Sequence, residues 1–236
     1  MALPLYLALT AAEFTACSSL PRFPAWMACH FSPYGTGLSN LPPRLPVGSL
    51  LILNDRTPPH GHDPQKIAQQ LQCVVKEMAF AGVLLDFQRP QDEETAAIAA
   101  AVVAGLSCPA AVSDVYAQEM NCPVFLPPPP PHIPLSEHLA PWRGREVWLE
   151  AALTQETITV TAQGSHFRED VPASIEAPHW DEALHCHYQI TASPEEITFT
   201  LYRASQDLDA LLAEAATQGV TTAVGLYQQL ARYFSC

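Results

Sequence analysis

The sequence predicts an α/β fold: a TIM-type (β/α)8 barrel with reduced outer helices and a small antiparallel β insertion between its seventh and eighth strands. Three observations carry that expectation. Short apolar segments of strand character recur along the 236 residues, most of them ending in polar or special residues. Helical stretches separate several of them, as a parallel barrel requires. Between 157 and 202 the pattern changes to the alternating runs TITVTAQ, LHCHYQI and EITFTLY, which read as hairpins. We expect a single barrel domain over 1–236, with 157–202 inserted into it.

The first strand is PLYLALT at 4–10, with Glu13 close behind it; the second is AWMACHF at 25–31, ending at His30 and Ser32. The third, SLLIL at 49–53, ends in Asn54 and Asp55. A helix follows: Asp63 can cap it, Pro64 suits its first turn, and Ile67, Leu71, Val74, Val75 and Met78 repeat at helical spacing. Val83 to Phe87 form the fourth strand. Pro90 stops it, and Asp92, Glu93 and Glu94 put negative charge where a helix N-terminus favours it, before a helix that closes near Gly105. Strands follow at 109–113, 123–126 and 146–152. The five prolines 127–131 read as a strand-end loop rather than a domain linker. Asp207 to Gln218 is helical, Val220 to Gly225 is the eighth strand, and Leu226 to Phe234 a closing helix. An open doubly wound sheet is the alternative. No glycine-rich phosphate loop follows the first strand, where AAEFTACS stands, so no dinucleotide or other cofactor is expected.

Composition narrows the function. A net charge of −13 with only 11 Lys and Arg, none clustered, argues against nucleic acid and anionic membrane surfaces as partners. No apolar run approaches the roughly 20 residues of a membrane helix, and MALPLYLALTAAEF lacks the positive segment of a signal peptide. Seven cysteines at spacings that suggest no disulfide framework fit a reducing cytoplasm, the expected location.

The fourth strand carries the most chemistry. Alternation puts Gly82, Leu84, Asp86 and Gln88 on one face, the barrel interior, with Asp86 and Gln88 nearest the C-terminal mouth. Loop capping by Asp86 and solvation of Gln88 at a strand end is the structural alternative.

FAGVLLDFQ resembles the fourth-strand signature of glycoside hydrolase family 18, the chitinase-like barrels: aromatic-D-G-x-D-x-D-x-E. Phe80, Gly82 and Asp86 match, while Ala81, Leu84 and Gln88 stand where that family has acids. The resemblance implies that the missing Glu would have protonated the departing glycosidic oxygen. It also implies that Asp86 would orient the substrate's acetamido group. A carboxamide has no transferable proton, so with Gln88 in the acid position the family's mechanism is disabled.

Other carboxylates near strand ends are Glu13, Asp55, Asp114 and Glu150. Asp86 with Glu150, or with Glu13, is the catalytic pair to test, since glycosidases oppose two carboxyls across the bond they cleave. Trp148 shares a face with Glu150 and can stack on a sugar at the mouth, or be core. In the loop 32–43, Tyr34 and Asn40 can meet a polar ligand. Together with His30, Asn54, Asp55, Asp114 and Trp148, Tyr34 makes up the expected set for a small-molecule or oligosaccharide ligand. His60 with His62 and His185 with His187 lack a third ligand, so no metal is expected. Cys29 and His30 are strand neighbours on opposite faces and make no nucleophile–base pair. Three readings stay open: a barrel without family 18 catalysis that binds or slowly processes a glycan-type ligand, a hydrolase using Asp86 with Glu150 or Glu13, and a non-catalytic scaffold.

Overall fold

The computed structural model describes residues 3–170 and 179–230. Strands β1 (Leu5–Leu9), β2 (Pro24–Phe31), β3 (Leu38–Ser39), β4 (Leu50–Asn54), β5 (Gly82–Asp86), β6 (Ala110–Ser113), β7 (Val124–Leu126) and β8 (Val147–Glu150) come first in the chain. The strands β9 (Gln155–Thr161), β10 (Gly164–Asp170), β11 (His179–Asp181), β12 (Cys186–Ala192) and β13 (Glu196–Tyr202) follow, and β14 (Val220–Leu226) comes last. All of these except β3 and β9–β13 run parallel in the order β1-β14-β8-β7-β6-β5-β4-β2, and β1 also pairs with β2, which closes the ring. The parallel barrel predicted from sequence is therefore present, and the open-sheet alternative is not. Strands β9 to β13 form a separate five-stranded antiparallel sheet inserted between β8 and β14.

The outer helices are reduced, as expected. Three are full length: α2 (Pro64–Met78), α3 (Glu93–Gly105) and α6 (Ser205–Thr217). The others are α1 (Ala11–Ala16), α4 (Asp114–Ala117) and α5 (Leu135–Leu139), each a turn or two, and α7, described over Tyr227–Leu230. Asp63 caps α2 through the amides of Gln65 and Lys66, with Pro64 in the first turn, and the helix buries Ile67, Leu71, Val74 and Val75. The structure adds β3, β10 and β11 to the strands read from sequence, and α1, α4 and α5 to the helices. Residues 231–236, which include the end of the expected closing helix, lie outside the described residues.

Strand alternation sorts the core into two layers. Leu51, Leu53, Val83, Leu85 and Phe87 face the helices; Tyr6, Leu50, Ile52, Leu84, Phe125 and Trp148 fill the barrel. Gly82 is required by that filling. A Cβ there would lie 2.8 Å from the indole Cη2 of Trp148 and 3.1 Å from the carbonyl oxygen of Pro109. The glycine lets Trp148 reach across the barrel floor.

The inserted sheet is two-faced. Its registers put Ile158, Val160, Phe167, Ile190 and Ile197 on one side and Thr157, Thr159, Thr198 and Thr200 on the other. Arg203, 1% exposed, fastens it to the barrel. Its guanidinium donates to the carbonyls of Pro129 and Pro130 in the proline loop and of Leu184 and His185 in the insertion. Other contacts cross the joint, among them His132 to Glu156 at 2.6 Å, His187 to Asp207 at 2.9 Å and the Cys186 thiol to the Pro131 carbonyl at 3.6 Å.

A candidate ligand site at the barrel mouth

The C-terminal mouth opens into a cavity of about 780 Å3, whose lining includes Ile52, Leu84, Phe125 and Val224 low down and His30, Asn40, Asn54, Asp55, Arg56, Asp86, Gln88 and Glu150 among its polar groups. Strand geometry places most of these. Asn54 pairs in register with Asp86 across β4 and β5, and His30 with Asn54 across β2 and β4, so three polar side chains form a row.

His30 joins that row because β2 carries a bulge. Trp26 pairs with Leu51 and Cys29 with Leu53, so β2 advances three residues where β4 advances two. The extra residue reverses the alternation, turning Cys29 outward into the core and His30 inward. Burial raises the Cys29 thiol to about 12, which suits a core residue and not a nucleophile. Asn54 holds the bulge: its amide donates to the carbonyls of Met27 and Cys29 at 2.9 and 3.0 Å, and its oxygen accepts the Arg56 amide at 3.2 Å. His30 Nδ1 lies 2.8 Å from the Phe31 carbonyl and Nε2 lies 3.1 Å from the Asn40 amide nitrogen, which fits a proton on Nδ1.

Asp55 is 4% exposed and accepts the backbone amides of Gln88 and Arg89 at 3.1 and 2.8 Å. It fixes the backbone on which Gln88 sits. The Gln88 amide then donates to Asp86 Oδ1 at 3.1 Å. Burial raises the Asp86 carboxyl above its ordinary value; the Gln88 bond pulls it back, and the Asp55 charge pushes it up again. Glu150, on β8, is raised further, to about 7, by burial first and by the Asp86 charge second.

This shift has a consequence for stability. An unfolded chain releases the Glu150 proton near 4.5, whereas the folded chain holds it to about 7. In that window the folded state binds more protons, so its stability falls as pH rises and stays lower above it. Glu150→Gln is expected to add on the order of 1–3 kcal/mol at about pH 8 and little at about pH 4. Urea unfolding at the two pH values checks this; an equal gain at both would mean that the proton is not involved.

Four residues expected at the mouth lie elsewhere. Glu13 is in α1, where it completes a capping box with Thr10, accepting the Thr10 amide and hydroxyl at 2.8 Å each. Trp148 is 3% exposed in the barrel interior, its Nε1 donating to Glu146, two residues back along the strand, at 3.1 Å. Asp114 opens α4 directly after β6 and does not line the cavity. Tyr34 stands 85% exposed on the 32–37 turn, outside the cavity lining. Conversely, Arg56, Thr57, Met27 and Phe125 line it without having been singled out. The pattern NDRT directly after a strand was the available signal for the first two.

The histidine pairs are separate features. His60 pairs with Glu94 at 2.8 Å, while His62 lies against the carbonyls of Pro59 and Gly37. His187 meets Asp207, and His185 sits in a left-handed turn at φ 47°. Among the described residues no three His, Cys, Asp or Glu side chains are grouped to hold a metal ion. No helix among them is long and apolar enough to cross a membrane.

Comparison of whole folds adds one result. The spore cortex-lytic enzyme SleL of Bacillus megaterium QM B1551 superposes with a TM-score of 0.56 at 10% identity, over 94% of this chain and 70% of that one. The fold is that of the chitinase-like TIM barrels. Chitinase ChiW from Paenibacillus sp. str. FPU-7 gives 0.60 at 11% identity over 97% of this chain, which matches 42% of ChiW. A doubly substituted GH18 chitinase from Cycas revoluta, in complex with (GlcNAc)4, gives 0.54 at 10% identity over 95% and 94% of the two chains. No protein-family model and no curated protein matches the sequence. The glycoside-hydrolase-like barrel expected from the fourth strand is thus matched at the level of the fold.

Proposed function

We propose that this glycoside-hydrolase-like barrel binds a glycan-type ligand in its mouth cavity without the acid catalysis of family 18. One observation carries the reading. Asp86 and Gln88 sit side by side, hydrogen-bonded, in an open cavity with an apolar floor, and Gln88 occupies the place where the resemblance calls for the acid. Asp86 can accept an amide N–H of an acetamido group, and Gln88 can donate to a glycosidic oxygen but cannot protonate it. The volume suits one or two sugar units. Calorimetry with (GlcNAc)4 tests the proposal. Binding that weakens about tenfold or more in Asp86→Ala supports it, since a hydrogen bond to a charged group is worth about 1.5–3 kcal/mol. A protein that binds no oligosaccharide overturns it.

A second reading has an observation of its own. Glu150 lines the same cavity as Asp86 and keeps its proton to about 7, the property a general acid needs at neutral pH. In this reading Asp86 and Glu150 form a hydrolytic pair, and Glu150→Gln abolishes turnover.

A further inference from the structure

Arg56 is the arginine that lines the mouth cavity, and its charge is unspent. Among the described residues it forms no ion pair; the salt bridges involve other cations. Its neighbour Asp55 is not among its ion-pair partners: the Asp55 oxygens accept the backbone amides of Gln88 and Arg89. Its main chain is held in place and its side chain is exposed. The Arg56 amide is held by the Asn54 oxygen, and the Asn54 amide is held in turn by two carbonyls of the β2 bulge. The chain carries a net charge of −13 and has only 11 Lys and Arg to place. An exposed arginine on the cavity lining, with no ion pair among the described residues, is free to meet a ligand.

We propose that Arg56 is a specificity-determining residue that selects a carboxylate-bearing amino-sugar chain over a neutral one. The inference rests on the glycan reading above and adds the ligand's charge to it. A guanidinium fork matches a carboxylate in a paired hydrogen bond, and a single cation matches its single charge. A phosphate would leave charge over, with no second cation lining this cavity. Arg56 follows β4, whose Asn54 pairs in register with Asp86 on neighbouring β5, while Glu150 lies on β8, so the cavity sets one arginine beside its carboxyl groups. A ligand carboxylate seated at Arg56 leaves the uncharged sugar ring for Asp86 and Gln88.

Such a carboxylate is available from a lactyl ether on the amino sugar or from an alternating hexuronate, and the test separates them. Calorimetry on the full chain compares three tetrasaccharides: (GlcNAc)4, its lactyl-ether-bearing counterpart, and one alternating with hexuronic acid. The expected result is that at least one acidic tetramer binds about tenfold tighter than (GlcNAc)4, the effect of one charge-assisted bond, and which one identifies the source. Arg56→Gln is expected to bring that ratio close to one. Arg44→Gln, an exposed arginine outside the cavity, should preserve it. The preference should also shrink as salt is raised. Tight binding of (GlcNAc)4 with no acidic preference, or a preference that survives Arg56→Gln, overturns this inference and leaves the glycan reading standing. Binding by none of the three removes both.

Discussion

Gln88→Glu is expected to raise hydrolysis of (GlcNAc)4 by roughly 10² to 10⁴ over the wild-type rate, the contribution of a positioned general acid. The site is prepared for the change. Backbone amide bonds to Asp55 already hold position 88, and its side chain already reaches Asp86. A glutamic acid there keeps nearly the same shape. It would share a proton with Asp86 in a cavity that disfavours two charges, and this holds the pair's second ionisation high enough for acid catalysis. Initial rates of reducing-end release across pH check the prediction. A folded Gln88→Glu protein that binds the tetramer and shows no gain would mean that the family's acid position was not recovered. The same assay separates the second reading. If the wild-type protein already turns over and Glu150→Gln stops it, the chemistry runs through Glu150.

The second large effect concerns stability. Arg203→Met is expected to lower the unfolding free energy by about 3–5 kcal/mol, the cost of removing one partner from a buried charged network. Methionine fills part of the space but leaves the carbonyls of Pro129, Pro130, Leu184 and His185 without this donor. It also leaves Glu156 and Asp207 without the cation near them. Arg203→Lys should recover little, because one ammonium cannot span carbonyls from two segments. Denaturant unfolding measures the change. A loss under about 1 kcal/mol, the size of an ordinary single hydrogen bond, would mean that the insertion is held elsewhere.

Much of this architecture was legible in the sequence, and the exceptions have physical causes. The eight barrel strands were visible because each buries apolar residues, and most of them then stop at polar residues or proline. Helix α2 was visible through Asp63, Pro64 and its spacing of Ile67, Leu71, Val74 and Val75. The β2 bulge was not, because Met27, Ala28 and Cys29 are small or apolar and give no sign of which one breaks the alternation. The inward position of His30 depends on that break. Trp148 shows a different limit. Alternation assigns a side chain to a face but does not say toward which end a long one leans, and here the indole leans to the floor. Glu13 was readable: Thr10-Ala-Ala-Glu13 is a capping-box pattern, which places the carboxylate on a helix start rather than a strand end. Arg203 was beyond sequence reasoning, since its partners come from segments about 20 and about 70 positions away and meet it only in the folded chain.

The tryptophan beneath Gly82 also decides traffic. Trp148, Leu84 and Phe125 pack across the lower barrel, so among the described residues the cavity has an apolar floor and opens at the mouth. A long polymer cannot be threaded through it; it has to offer a chain end, or a bend, to the opening. Water displaced by an arriving group must leave past that same group, so entry and drying of the cavity are one event. A ligand that seals the rim would thereby place Asp86 and Glu150 in drier surroundings than the empty cavity gives them, and would hold their protons more firmly than before it arrived.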